Sequence, residues 1–328
     1  MISIVIPVYN SASTLKECLD AIFNSNFKNF EVIVVSDKSP DDSVNIAKKY
    51  SAKIIELDEN KGPAFARNKG AEMAKGDIIL FLDSDVIIET DSLNLIDDEF
   101  SSNNVDGIQG IYSHNPDYKY TATQFYQSYL CYYVWPKEKK YVSTLVTACF
   151  GIRKKIFNEL NGFDTKMKNA SCEDEKFGYE LIKNGFKIVI LRNVQVIHRV
   201  NYNILKFIKR RFIQDVDRIR FYLREKTYTN KIKQKNYSKV IIGIFILGLI
   251  LLTALSLFFF NSAIIWYFLI MLNLIYIFLH FNFLKFASNT KGPGKIVSFL
   301  MMFYLDTFLM ILATSYGFLS FFLLKKRY

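Results

Sequence analysis

Cysteine is scarce in this chain of 328 residues: four occur, Cys18, Cys131, Cys149 and Cys172, with no C-x-x-C pair and no Cys/His spacing suited to zinc. Four cysteines cannot staple a chain of this length, so a disulfide scaffold and a zinc module are both excluded and the thiols are expected to be reduced. No G-x-G-x-x-G follows the first apolar run, which reads P-V-Y-N instead, and this argues against a nucleotide-dependent oxidoreductase. The opening M-I-S-I-V-I-P-V-Y-N has no basic n-region and is too short for a signal h-region, so it is expected to be a first β-strand. Acidic charge is scarce in the back of the chain. Residues 1–198 carry a net −4, residues 199–239 a net +10 and residues 240–328 a net +5, which together make the formal +11. Because the basic block directly precedes the hydrophobic part, it is assigned to an anionic membrane surface and not to nucleic acid.

What is present reads as α/β alternation. Ile2–Pro7, Phe30–Ser36, Lys53–Leu57 and Asp77–Leu82 are short apolar strands, and helices are expected after Ser11 or Ser13, over Asp41–Tyr50 and from Pro63 to near Gly76. Such strands imply a mostly parallel sheet covered on both faces, with ligands at the carboxyl ends of the strands. Further strands are expected at Val105–Tyr112, Val142–Ile152, Phe186–Leu191 and Val194–His198, and helices at Lys154–Leu160 and Cys172–Asn184. Tyr118–Trp135 is rich in aromatics, and Phe125–Trp135 is a candidate wall for an acceptor or a buried aromatic cluster.

Ile204–Leu223 has the spacing of a basic amphipathic helix. Leu205, Ile208, Phe212, Val216, Ile219 and Leu223 share one side, with Arg210, Arg211, Arg218 and Arg220 largely off it, a pattern suited to a membrane interface or to packing on the domain. Three membrane helices are expected, over 240–260, 263–284 and 296–324, the last interrupted by Asp306. If all three cross, Lys325, Lys326 and Arg327 end opposite the basic block, against the positive-inside rule. Either the first spans dominate orientation or the last segment is re-entrant. Asp306 is either functional or hydrogen-bonded to a partner helix.

The chemistry-bearing residues fall at consecutive strand ends. Asp83 and Asp85 in F-L-D-S-D flank Ser84 where an apolar strand runs out, suiting a hard cation such as Mg²⁺ or Mn²⁺ on a diphosphate. Tyr9 is placed to lie against a base and Asp37 to accept from a base or ribose. Lys61, Arg67 and Lys69 surround a helix amino terminus that helps offset phosphate charge. Downstream, Glu173 and Asp174 in C-E-D-E open a helix, where the dipole alone favours acids, or one of them supplies the base that deprotonates an acceptor hydroxyl. His198 is a candidate third metal ligand or diphosphate contact.

In I-P-V-Y-N, Asp37, A-R-N-x-G at Ala66–Gly70, D-S-D, G-F-D at Gly162–Asp164 and E-D at Glu173 and Asp174, the chain resembles the family 2 glycosyltransferases of GT-A fold, in their membrane-tethered branch. The resemblance covers about residues 1–200, followed by a juxtamembrane linker over 201–238 and the membrane helices over 239–328. It implies donor contacts from Pro7, Tyr9, Asn10, Asp37, Lys61, Arg67, Asp83 and Ser84, metal binding by Asp83 and Asp85, and Asp174 as base with inversion at the anomeric carbon. The Q-x-x-R-W of processive polymerases is not matched by Gln214–Arg218, which favours one sugar per encounter. The expected partners are a UDP-sugar first among nucleotide sugars, a polyprenyl phosphate, lipid-linked glycan or other glycan acceptor, and membrane lipids, with the catalytic part on the cytoplasmic side. A catalytically silent nucleotide-sugar-binding scaffold is the rival reading.

Overall fold

A computed structural model describes residues 1–113, 118–135, 140–142, 144–167, 172–224, 237–260 and 262–324. The chain divides into two compact units, one of residues 1–116 and 134–200, the other of residues 117–133 and 201–328.

The first unit is built on an eight-stranded mixed sheet. Its strands are β1 (Ile2–Val8), β2 (Phe30–Ser36), β3 (Lys53–Glu56), β4 (Ile78–Leu82), β5 (Val86–Ile88), β6 (Gly107–Tyr112), β7 (Cys149–Arg153) and β8 (Ile188–His198), in the order β3-β2-β1-β4-β7-β6-β8-β5. The first four run parallel, as their apolar runs predict, and β6 is parallel to β8. β7 runs antiparallel to both β4 and β6, and β5 antiparallel to β8. Periodicity reports that a strand exists but not its direction, which is why these reversals were not legible. The two strands expected at Phe186–Leu191 and Val194–His198 are one strand.

Helices of this unit are α1 (Ala12–Phe23), α2 (Ser43–Ala47), α3 (Pro63–Met73) and α4 (Ser92–Ser102). The aromatic segment of the other unit supplies α5 (Thr121–Tyr129), after which α6 (Lys154–Glu159) and α7 (Glu173–Lys183) return to the first. Pro63 opens α3 without loss, because the first helical amide has no intrahelical partner. α3 lies close against the sheet at Gly70, where an added Cβ would stand 2.3 Å from Val5 Cγ1.

The second unit is helical. α5 continues into a π-helical turn, Leu130–Val134, and is joined by α8 (Ile204–Arg224), α9 (Tyr237–Ser256), α10 (Ala263–Lys291) and α11 (Lys295–Phe322). Phe125 is buried among the rings of Phe207, Phe283, Phe299 and Phe303, so the aromatic segment up to Tyr133 belongs to this helical core and the buried-cluster alternative describes it. α10 and α11 are long and apolar enough to cross a membrane. Asp306 of α11 is buried and receives a two-pronged ion pair from Arg211 of α8, at 2.6 Å from Nε and 3.0 Å from Nη2. The expectation that Arg211 lies off the packed side is therefore corrected. An acid inside an apolar helix requires a counter-ion, and meeting it turns Arg211 inward while Leu205 is left exposed.

Candidate active site

The site residues collect at the carboxyl ends of β1, β2 and β4. β1 ends at Val8, with Pro7 half-buried in it and Tyr9 left 53% exposed beyond it. Asn10 turns the chain with φ of +54°, a left-handed conformation that asparagine tolerates, and its amide donates to Ser39 Oγ at 2.7 Å. Asp41 gathers the same loop, accepting from the Ala12 amide at 2.7 Å and from the Ser39 and Ser43 hydroxyls at 2.6 Å each. Its burial works to raise its pKa, but the hydrogen bonds outweigh that and bring it down to about 2.

Asp37, just past β2, is buried. Its two oxygens accept from the amides of Lys61 at 2.7 Å and Gly62 at 2.8 Å. Gly62 has φ of +89°, open only to glycine without strain. Asp37 thus ties the end of β2 to the start of α3, a holding task that the sequence does not disclose beside its expected contact with base or ribose. Lys61 lies over the Phe65 ring, 4.7 Å from its centroid, and 3.2 Å from Glu59.

At the end of β4 the D-S-D residues part company. Asp83 Oδ1 accepts from Arg67 Nη2 at 2.8 Å, and Arg67 Nη1 donates to Glu173 Oε1 at 3.0 Å. Arg67 and Glu173 side chains are each only 5% exposed. Arg67, expected to meet the nucleotide, bridges the strand end to the first turn of α7 across 106 residues of chain. Ser84 Oγ donates to Ser11 Oγ at 2.8 Å, joining the ends of β4 and β1. Asp85 faces β8: its Oδ1 is 3.3 Å from His198 Nε2, and the imidazole stacks on Tyr112 at 4.8 Å with Trp135 edge-on to Tyr112. The pairing of Val86 with His198 across β5 and β8 sets this approach.

Asp174 neighbours Glu173 but differs from it. Burial, then the charges of Glu173 and Glu175, push its carboxyl well above the ordinary carboxylate range, with Arg67 acting the other way. Among the described residues, no three His, Cys, Asp or Glu side chains group as a metal site, so Asp83, Asp85 and His198 do not form a three-ligand set. Asp85 with His198 supplies one hard oxygen and one imidazole nitrogen side by side, a donor set that fits a cation keeping its other positions for phosphate and water.

Supporting contacts passed unseen in the sequence. Asn68 clamps Phe163, its Nδ2 donating to the carbonyl at 2.8 Å and its Oδ1 accepting from the amide at 2.9 Å. The turn depends on Gly162, at φ of +65°, where an added Cβ would lie 2.6 Å from Asn68 Oδ1. Beneath lies an aromatic floor in which Phe81, Phe157, Phe163 and Phe177 pack edge-on and tilted at 4.8–5.5 Å. The signals available were the A-R-N and G-F-D motifs, but not that they touch.

A sheet with its site at the carboxyl ends of parallel strands, an acidic pair after β4 and a second acidic pair opening a later helix define a GT-A-type nucleotide-binding domain. The profile of glycosyl transferase family 2 matches residues 3–160, and this part of the chain belongs to that family. It is similar to a poly(ribitol-phosphate) beta-glucosyltransferase of Bacillus spizizenii, with 44% identity over 100 residues, covering 28% of this chain and 16% of that protein. It is also similar to the glycosyltransferase EpsJ of Bacillus subtilis, with 25% identity over 230 residues, covering 62% of each chain. This chain therefore spans less than two thirds of either relative. The fold is shared with a mannosyltransferase of Pyrobaculum calidifontis solved with GDP-Man and Mn²⁺, at a TM-score of 0.60 and 14% identity, over 97% of this chain and 86% of that one.

Proposed function

We propose that the protein is an inverting glycosyltransferase that moves one sugar from a nucleotide-diphosphate donor, a UDP-sugar first, to an acceptor presented at a membrane, either a polyprenyl phosphate or a lipid-linked glycan. The observation that carries this reading is the Arg67 bridge. It links Asp83 to Glu173 and so brings the E-D helix start beside the acidic strand end. Donor edge and candidate base then belong to one site.

The same bridge supports Asp174 over Glu173 as the base. Glu173 is buried and bound to Arg67, whereas Asp174, its carboxyl held above the usual range by burial and by the charges of Glu173 and Glu175, is the one not bound to that guanidinium. In the proposed step the acceptor oxygen bonds to the anomeric carbon as the bond to the diphosphate oxygen breaks, and the hydroxyl proton passes to the Asp174 carboxylate. Direct displacement inverts that carbon. An acceptor phosphate arrives ionised and needs no such transfer.

Asp85 and His198 would hold a divalent cation, which when bound offsets charge on the departing nucleoside diphosphate. Tyr112 keeps the His198 ring oriented by stacking on it. Tyr9, exposed at the end of β1, is positioned to cover a base. The Pyrobaculum calidifontis mannosyltransferase of the same fold, solved with GDP-Man and Mn²⁺, supports use of a divalent cation and a nucleotide sugar. α10 and α11 support a membrane location, with the multi-pass arrangement, a cytoplasmic catalytic part and the domain limits at about 200 and 238 proposed on the charge pattern.

The test is a donor screen with purified full-length protein in lipid, offering UDP- and GDP-sugars with polyprenyl phosphate. Consumption of one donor with a new glycolipid is expected. Binding without consumption of any donor would favour the silent scaffold and overturn the enzyme reading.

A further inference from the structure

α8 and α11 lie side by side and run in the same direction. Arg211 meets Asp306, Ile219 meets Gly317 and Arg220 meets Ser320, so the contacts advance along both helices together. The approach is close: a Cβ added at Gly317 would stand 2.9 Å from Ile219 Cγ2, and Ser320 Oγ accepts from Arg220 Nε at 3.1 Å. α8 carries seven Lys and Arg with two Asp in 21 residues. A helix so charged is excluded from the hydrocarbon centre of a bilayer. The half of α11 from Asp306 to Ser320 is fastened to it and is excluded with it.

The opposite face of α11 tells what it meets instead. Val297, Met301, Phe308, Leu312 and Leu319 are all exposed, at spacings of four, seven, four and seven residues, which at about 100° per residue is one continuous stripe. Asp306, Ala313, Gly317 and Ser320 are buried on the other side of the helix. A helix apolar on one side and backed by a charged partner on the other has the form that lies in an interface. α9 and α10 differ. They pack together as an antiparallel hairpin, with Gly243 of α9 against Leu279 and His280 of α10, and neither has a charge between Val240 and Leu284. The hairpin ends in Phe258, Phe259 and Phe260, all exposed. From Val240 to Phe260, α9 with its turn, the chain runs 21 residues without a charge, about the length that spans the hydrocarbon.

We propose that α11 does not cross the bilayer but lies along its interface with α8, its apolar stripe in lipid, so that the α9–α10 hairpin alone crosses and the chain after α11 stays on the side from which α9 departs. This rests on the membrane reading above and replaces its third span. It also removes a conflict in the sequence, because Lys325, Lys326 and Arg327 then share a side with the basic block, as the positive-inside rule requires.

The experiment places single reporter cysteines in the full chain, Phe260→Cys and Lys326→Cys. The four native cysteines are buried. Each variant is first shown to label fully in detergent, then treated with a membrane-impermeant maleimide in intact cells and in inside-out vesicles. Labelling of the two positions from opposite sides is the expected result. Labelling of both from the same side would mean that α11 spans or that the hairpin does not, and either overturns the proposal. Recovery of the unmodified chain in the soluble fraction without detergent would overturn the membrane reading itself, an outcome distinct from the other two.

Discussion

Asp174 and Glu173 are adjacent acids with opposite circumstances, and the difference sets two expectations at the residue scale. Asp174→Asn should leave donor affinity within a few-fold while transfer to a hydroxyl acceptor falls by roughly 10² to 10⁴, read by separate binding and turnover assays. Near-normal transfer would remove Asp174 as base, or identify a phosphate acceptor. Glu173→Gln should instead disturb both quantities, because Arg67 loses one of its two carboxylate partners. The raised pKa of Asp174 also has a sign in stability. Its protonated form is favoured by the fold, so its contribution is fully present below the unfolded value near 3.8 and is lost as pH rises through the raised folded value. Thermal melts across a pH series should show Asp174→Asn gaining Tm over the unmodified protein as pH rises above the unfolded value near 3.8. Chelation is the matching test for Asp85 and His198: EDTA should abolish turnover and Mg²⁺ or Mn²⁺ restore it, and full activity in chelator would end the metal assignment.

Among elements, α3 does most to assemble the site. One helix presents Arg67 to two acids, Asn68 to the Phe163 backbone and Gly70 to the sheet. Gly70→Val should destabilise by roughly 1–3 kcal/mol, because no rotamer change relieves a Cβ that close to Val5, and denaturant unfolding would measure it. Asn68→Ala should cost about 1–3 kcal/mol by stranding backbone groups of the G-F-D turn. In the other unit, Arg211→Met leaves Asp306 buried without its main partner, at a cost of about 3–5 kcal/mol, whereas Arg211→Met with Asp306→Leu should recover most of it. Detergent thermal-shift curves distinguish these outcomes. If the double variant is as unstable as the single one, the ion pair is not the cause.

For the whole molecule, the chain divides after Val200, near where its composition changes, but not only there. Composition shifts near residue 200, yet residues 117–133 join the later helices. A chain ended after Val200 would keep the sheet but leave Phe125 without Phe207, Phe283, Phe299 and Phe303, exposing a core aromatic. Such a truncation should sediment as aggregate in the absence of detergent, while the full chain in lipid or detergent stays monodisperse. A soluble, monodisperse truncation would show that the aromatic segment does not depend on those rings.

The strands from β1 to β4, the acidic pairs and the apolar helices were all readable in advance, since each rests on local order: β-branched runs, a turn after a strand, or twenty residues without charge. Which residues these elements bring together was not readable. Arg67 looked like a phosphate contact from its charge near a helix amino terminus; that it also bridges Asp83 and Glu173 was not readable, because folding puts a residue 106 positions away beside it. α11 met the criteria of length and hydropathy for a membrane span despite Asp306, and Arg211 looked like part of a solvated face. Their ion pair turns Arg211 inward and motivates the proposed interfacial place of α11, because the cost of burying Asp306 depends on what surrounds it, and only the tertiary structure supplies those surroundings.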